Sequence, residues 1–312
     1  MSFTTLISTG DLSQHLDDAA FVIVDCRYHL ADVAAGERAY RAAHIPSATF
    51  LHLDRDLSGV KTGRNGRHPL PQVDALATTL GNVGIDRSKQ VVAYDQNSGV
   101  WASRLWWLLR WLGHDAVAVL DGGLDKWVAE RRPQTSELPS LRRTKFVPDP
   151  PMPTASAAEI ERHLNDGSLY VLDARAPERY RGDLEPIDPV AGHIPGARNR
   201  PYGENVTAQG SFKPPSLLRA EFEALLGDTS PSAVVHQCGS GLTACQRARH
   251  VRGRASGLAT VPRLVERVDR RTHPTDRPRR RDGLSHFDIT PEAFALRHRV
   301  SSPAWHGSSR RY

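Results

Sequence analysis

Cysteine is scarce in this chain: three in 312 residues, an odd count that cannot build a disulfide framework and that suits a reducing cytosol. Long apolar runs are missing as well. Nothing approaches the ~18 consecutive apolar residues of a membrane helix, and the opening Met1-Ser2-Phe3-Thr4-Thr5-Leu6-Ile7 lacks the charged and apolar regions of a signal peptide. The expectation is a soluble, cytoplasmic protein with no membrane partner. Lysine is absent from the last stretch, where Gln246 to Tyr312 carries 16 arginines and scarcely an apolar run able to make a strand or a helix face. A net charge of +6 ordinarily raises the question of nucleic acid. Here the charge gathers in that tail, so a nucleic-acid partner is not expected.

What the chain does contain is room for two ordinary domains and a pattern used twice. Phe21-Val22-Ile23-Val24-Asp25-Cys26-Arg27 reads as a buried strand ending in a polar turn, and Leu169-Tyr170-Val171-Leu172-Asp173-Ala174-Arg175 repeats it. Ala43-His44-Ile45-Pro46 returns as Gly192-His193-Ile194-Pro195, and Gln90-Val91-Val92-Ala93-Tyr94-Asp95 as Ala233-Val234-Val235-His236-Gln237-Cys238. The offsets are 148, 149 and 143 residues. Strands alternating with helical stretches imply parallel α/β sheets flanked by helices, whose chemistry sits at the carboxyl ends of the strands. The expected boundaries are a first domain over 1–140, a proline-rich linker over 141–153, a second domain over 154–245 and an aberrant, unstructured tail over 246–312. Trp101, Leu105, Leu108 and Leu112 follow helical spacing and read as core.

Cys238 stands at such a strand end. Gly239-Ser240-Gly241-Leu242 then turns the chain, and Thr243 is read as opening a helix. Two glycines let backbone N–H groups curl inward and the helix end adds positive potential, a site that favours a thiolate. In the first half Asp95 occupies the same place, so that copy carries no sulfur nucleophile. A phosphatase needs an arginine six residues after the cysteine, and Ala244 is there; His236, Cys238 and Cys245 have no recognised zinc-ligand spacing.

The loop Cys238-Gly239-Ser240-Gly241-Leu242-Thr243 resembles the active-site loop of the rhodanese superfamily. Within it, the chain is more similar to the two-domain 3-mercaptopyruvate sulfurtransferases than to the thiosulfate sulfurtransferases, whose loop is charged after the cysteine. The Asp-x-Arg and His-Ile-Pro pairs extend the resemblance over both halves. It implies tandem rhodanese-like domains, the first non-catalytic, with no metal and no cofactor. It further implies Cys238 as catalytic residue, Gly239, Ser240, Gly241, Leu242 and Thr243 as the loop around it, and Arg179 with Arg181 as substrate-binding residues. Asp54 and His68 are implied to line the same cleft from the first domain. The implied reaction moves sulfane sulfur from 3-mercaptopyruvate through a Cys238 persulfide to a thiol, thioredoxin or cyanide, with thiosulfate as the alternative donor. One departure stands out: the family's further arginine before His-Ile-Pro is missing, and Ile187-Asp188-Pro189-Val190 occupies its place.

The resemblance stops at Cys245. Back-translating Gln246 to His250 as CAA CGT GCT CGC CAT and reading one base later yields Asn-Val-Leu-Ala, with Met next when a G follows. The same shift across Val261 to Arg271, with suitable codons, yields Tyr-Pro-Gly-Ser-Trp-Ser-Glu-Trp-Ile-Val, which resembles the family's closing segment. The expectation is a one-base frame shift just after the Cys245 codon. It leaves the second domain truncated and makes a non-catalytic remnant the rival to the enzyme.

Overall fold

The computed structural model of this protein describes residues 2–63, 65–163, 166–188 and 190–245, together with the backbone pair Arg263–Leu264. In the first half the order is β1 (Leu6–Ile7), α1 (Thr9–Ser13), β2 (Phe21–Asp25), α2 (Ala35–Ala42), β3 (Thr49–Phe50), α3 (Leu53–Asp56), α4 (Val73–Asn82), β4 (Gln90–Tyr94), α5 (Ala102–Trp111), β5 (Val117–Leu120) and α6 (Gly123–Ala129). The second half runs α7 (Ala157–Arg162), β6 (Tyr170–Asp173), α8 (Pro177–Arg181), β7 (Arg198–Asn199), α9 (Pro215–Leu226), β8 (Val234–Gln237) and β9 (Arg263–Leu264). The sheets follow the orders β1-β5-β4-β2-β3 and β7-β6-β8-β9, and each pairing in them is parallel. Tandem α/β domains are therefore what the repeated strand pattern builds. The register makes the repeat physical, because Asp25 lies opposite Tyr94 and Asp173 opposite Gln237. Asp95 and Cys238 each stand one residue beyond the strand end.

Val and Ala runs build β4 and β5, whose residues are all buried, as parallel strands covered on both faces require. Helix α5 departs from its sequence spacing. That spacing predicts one apolar face, yet every residue of α5 is buried. The reason is that other chain segments bind its polar side chains and its end. Arg104 donates to the carbonyls of Leu57, His68 and Pro69 at 3.3, 3.0 and 3.0 Å, and Trp111 Nε1 donates to Met152 O at 3.0 Å. The proline-rich segment is thereby fastened along α5.

The Asp-x-Arg pairs close the strand ends. Asp25 and Asp173 are wholly buried, each gripped by its own arginine, which also donates to a carbonyl: Arg27 Nη2 to Ala43 O at 2.7 Å, Arg175 Nη2 to Gly192 O at 2.6 Å. His44 Nδ1 bonds Tyr40 O at 2.7 Å, and His193 Nδ1 bonds Tyr180 O at 2.8 Å while stacking on that ring. These groups hold loops together, and all but the exposed His193 are buried with hydrogen-bond partners, as buried polar groups generally are.

Beyond Cys245 the expectation of an unstructured tail lies outside the described residues, with one exception. Arg263–Leu264 pairs with Val235 and His236, taking beside β8 the place that β5 takes beside β4. This corrects the expectation that the tail supplies no strand. A parallel ladder is made of backbone N–H and C=O groups, and an open edge of β8 recruits them with little regard to side chains. Among the described residues no helix is long and apolar enough to cross a membrane.

Candidate active site

The first half shows what the loop after the central strand can hold. Asp95, 1% exposed, accepts the N–H of Gly99 at 3.1 Å on one carboxylate oxygen and those of Trp101 and Ala102 at 2.8 and 3.2 Å on the other. Three backbone donors and the start of α5 thus converge on one anion. Replacing Asp95 with alanine should strip these buried donors of their acceptor and destabilise the protein by roughly 3 kcal/mol, measured by urea unfolding. A change below about 0.5 kcal/mol, the size of an ordinary surface substitution, would contradict this.

In the second half Cys238 takes the corresponding place after β8. Gly241 turns the loop with φ of 78°, as Gly99 does with 69°, and residues 242–245 form a helical turn. The helix opens at Leu242, one residue before the position read from the sequence. Cys238 and Ser240 are buried and Thr243 is half-buried. Leu242, Ala244 and Cys245 join one apolar cluster with the first domain's Tyr28, Trp106 and Trp107, and Cys245 Sγ donates to Gly241 O at 2.9 Å. The loop is therefore seated on both domains, and Cys245 packs beneath it.

Charged groups converge above the loop. A Cβ placed on Gly239 would stand 2.6 Å from Arg67 Nη2, 2.7 Å from Asp188 Oδ2 and 3.4 Å from Arg179 Nη2. Any side chain here would collide with those groups, so glycine keeps the approach open. Arg179, on α8, donates to Glu185 from Nε and Nη2 at 3.0 and 2.7 Å, and from Nη2 to Asp188 at 2.7 Å. Burial pushes the Glu185 carboxyl up, but the Arg179 guanidinium and the N–H groups of Asp188 and Ile187 outweigh it and hold it below the usual range. It stays ionised. Arg67, from the first domain, binds the second oxygen of Asp188.

The other expected cleft residues divide. Arg181 is exposed and donates to Asp183 at 2.7 Å; it takes no part in the cluster at Gly239. Asp54 accepts from Tyr28 Oη at 2.5 Å and Lys61 Nζ at 2.7 Å, and lies 3.6 Å from His68 Nε2. Burial opposes ionisation of Asp54, yet these hydrogen bonds hold its carboxyl below the usual range. His68 is buried, and desolvation pushes its pKa down to about 4, with the Asp54 charge too weak to restore it. The imidazole is neutral at pH 7. Arg104 fixes this loop through the His68 carbonyl, and so helps place Arg67 next to it.

Arg67, Glu185 and Asp188 were not among the residues expected from sequence. The available signals were slight: Arg67 adjoins His68, and Asp188 falls where the family's second arginine is missing.

Comparison with known proteins agrees with this architecture. A rhodanese-like domain model matches residues 8–130 and 156–266. A probable 3-mercaptopyruvate sulfurtransferase of Pseudomonas aeruginosa is 44% identical over 248 residues, covering 78% of this chain and 87% of the relative. The human 3-mercaptopyruvate sulfurtransferase is 33% identical over 230 residues, covering 72% and 76%. The structure of 3-mercaptopyruvate sulfurtransferase from Leishmania major superposes with a TM-score of 0.71 at 28% identity, covering 84% of this chain and 72% of that one. With two matched domains and full-length relatives of this similarity, the chain belongs to the rhodanese-like family, as a two-domain sulfurtransferase of the 3-mercaptopyruvate and thiosulfate type.

Proposed function

We propose that this sulfurtransferase takes sulfane sulfur from 3-mercaptopyruvate, carries it as a persulfide on Cys238 and passes it to a thiol, thioredoxin or cyanide. The observation that carries the reading is the pair of loops: where Asp95 rests its carboxylate on three backbone N–H groups, the second domain offers a sulfur atom. A loop built to hold an anion favours both the thiolate and the persulfide anion. The thiolate attacks the donor sulfur; an S–S bond forms, the C–S bond breaks, and its electron pair passes to the pyruvate enolate, which takes up the donor's thiol proton to give pyruvate. The acceptor then attacks the outer sulfur and releases the Cys238 thiolate. Arg179 and Arg67 supply the cations that a carboxylate-bearing donor requires. The cysteines are free thiols, in keeping with a reducing, cytoplasmic setting.

The test is mass spectrometry of the intact chain after one equivalent of 3-mercaptopyruvate. The expected result is a gain of one sulfur on the Cys238 peptide, reversed by cyanide. No gain on that peptide, or a gain on Cys26, would refute the route.

A second reading is favoured by the composition beyond Cys245, where 16 arginines and no lysine break with the rest of the chain. On this reading the chain descends from such an enzyme whose closing segment was replaced by a one-base shift, leaving a loop that is intact and a domain that is not. The two readings part on turnover, which the remnant lacks even where Cys238 accepts a single sulfur.

A further inference from the structure

Outside Cys238 itself, charged groups gather above Gly239. Asp173, Arg175, Glu185, Arg179, Asp188 and Arg67 form one chain of alternating sign: Arg175 meets Asp173 at 2.6 Å and Glu185 at 3.3 Å, Arg179 meets Glu185 and Asp188 at 2.7 Å each, and Arg67 closes on Asp188. Three cations face three anions, so the cluster is formally neutral. Its members are not equally fixed. Glu185 is 4% exposed and accepts the N–H of Ile187 and Asp188 at 3.2 and 2.9 Å, whereas the Asp188 side chain is 18% exposed and, among the described residues, is held through its two arginines alone. Arg67 Nε is buried with no hydrogen-bond partner among the described residues, so this guanidinium has a donor unspent.

We propose that Asp188 selects the sulfur donor by charge, occupying the anion position between Arg67 of the first domain and Arg179 of the second until a donor carboxylate displaces it. This rests on the reading that donors approach Cys238 over Gly239. A carboxylate that replaces Asp188 restores the same pairing, one negative charge for one, and the two guanidinium groups bind it from opposite domains. A dianion such as thiosulfate brings a second negative charge beside Glu185 and the displaced Asp188, where it has no cation left to meet. Arg67 thus supplies, across the domain boundary, a second cation for the donor carboxylate, and Asp188 narrows the choice to monoanions. Both residues position and select; neither is catalytic.

The experiment compares rates of Cys238 alkylation in the full chain by iodoacetate and by iodoacetamide, reagents of similar size and mechanism that differ by one negative charge. The ratio of the two rates reads the anion preference of the loop without any sulfur transfer. In Asp188→Asn this ratio should rise about tenfold, and in Arg67→Gln it should fall about tenfold, the scale expected for one charge at partly desolvated contact distance. Asp188→Glu should keep the parental ratio, which separates charge from damage to the fold. In parallel, thiosulfate should raise the melting temperature of Asp188→Asn more than pyruvate does, the reverse of the parent, a reading that holds even if the thiol reacts slowly. Ratios within twofold of the parent in both charge variants, or an unchanged order of thiosulfate and pyruvate, overturn the proposal. A chain that shifts its ratio as expected yet never forms a persulfide would refute the sulfur-transfer route and leave the charge selector standing.

Discussion

Cys238→Ser is expected to abolish sulfur loading and to lower turnover by at least about a thousandfold, with the fold unchanged. The size of the effect follows from the fate of the other thiols. Cys26 lies in the first domain's core, and its pKa is pushed well above the ordinary thiol value by burial, with the Asp25 and Asp95 carboxylates adding to it. It is a protonated packing group. Cys245 is wholly buried and spends its S–H on Gly241. Neither can stand in. A serine hydroxyl fits the same space but is not ionised by backbone N–H groups, so the anion that the loop is built to hold never forms. Circular dichroism and urea unfolding should match the parent, while the persulfide mass gain and the release of pyruvate disappear together. Turnover within about tenfold of the parent would place the nucleophile elsewhere.

This outcome also marks what the sequence makes legible. Apolar runs ending in Asp-x-Arg, and the Cys238 and Asp95 pair one residue past a strand, are local signals. Parallel pairing turns each directly into geometry. Arg67 is the opposite case. In Gly63-Arg64-Asn65-Gly66-Arg67 it reads as a solvated loop residue, and only the closure of the first domain onto the second brings it to Gly239. Asp188 was visible as the absence of an arginine, which says nothing of the cation that answers it from the other domain. Arg179 and Arg181 are two residues apart on α8, so they leave the helix about 200° apart and only one can face the loop. Periodicity alone could have separated them. The full burial of α5 was hidden for the same reason as Arg67: the segments that fasten its polar groups are distant in sequence.

If the bases after Cys245 carry the one-base shift, reading them one position later is expected to raise turnover by roughly a hundredfold and to give one cooperative unfolding transition. The first half shows what the restored segment supplies. There, Gly122 adopts φ of 81° to open α6, a conformation costly for other residues, and Trp127 five residues later is wholly buried with Nε1 donating to Pro133 O at 2.7 Å. With suitable codons, the shifted frame places a glycine and a tryptophan with the same five-residue spacing at positions 263 and 268, where the chain has Arg263 and Val268. Loss of a buried tryptophan alone costs about 3–5 kcal/mol, against a total stability of about 5–15 kcal/mol. A deficit of about 3 kcal/mol is already a hundredfold in the folded-to-unfolded ratio, and losing the rest of the closing helix with the tryptophan takes a domain of ordinary stability past its midpoint. The sheet edge can still be paired through the backbone, as β9 pairs with β8, but pairing does not replace a core side chain. Sequencing the bases across codons 243 to 272 decides the premise, and the restored chain decides the consequence. If those codons do not encode the glycine and tryptophan motif, or if the printed and restored chains turn over equally, the arginine-rich segment is a feature in its own right. Its 16 positive charges then call for a polyanionic partner.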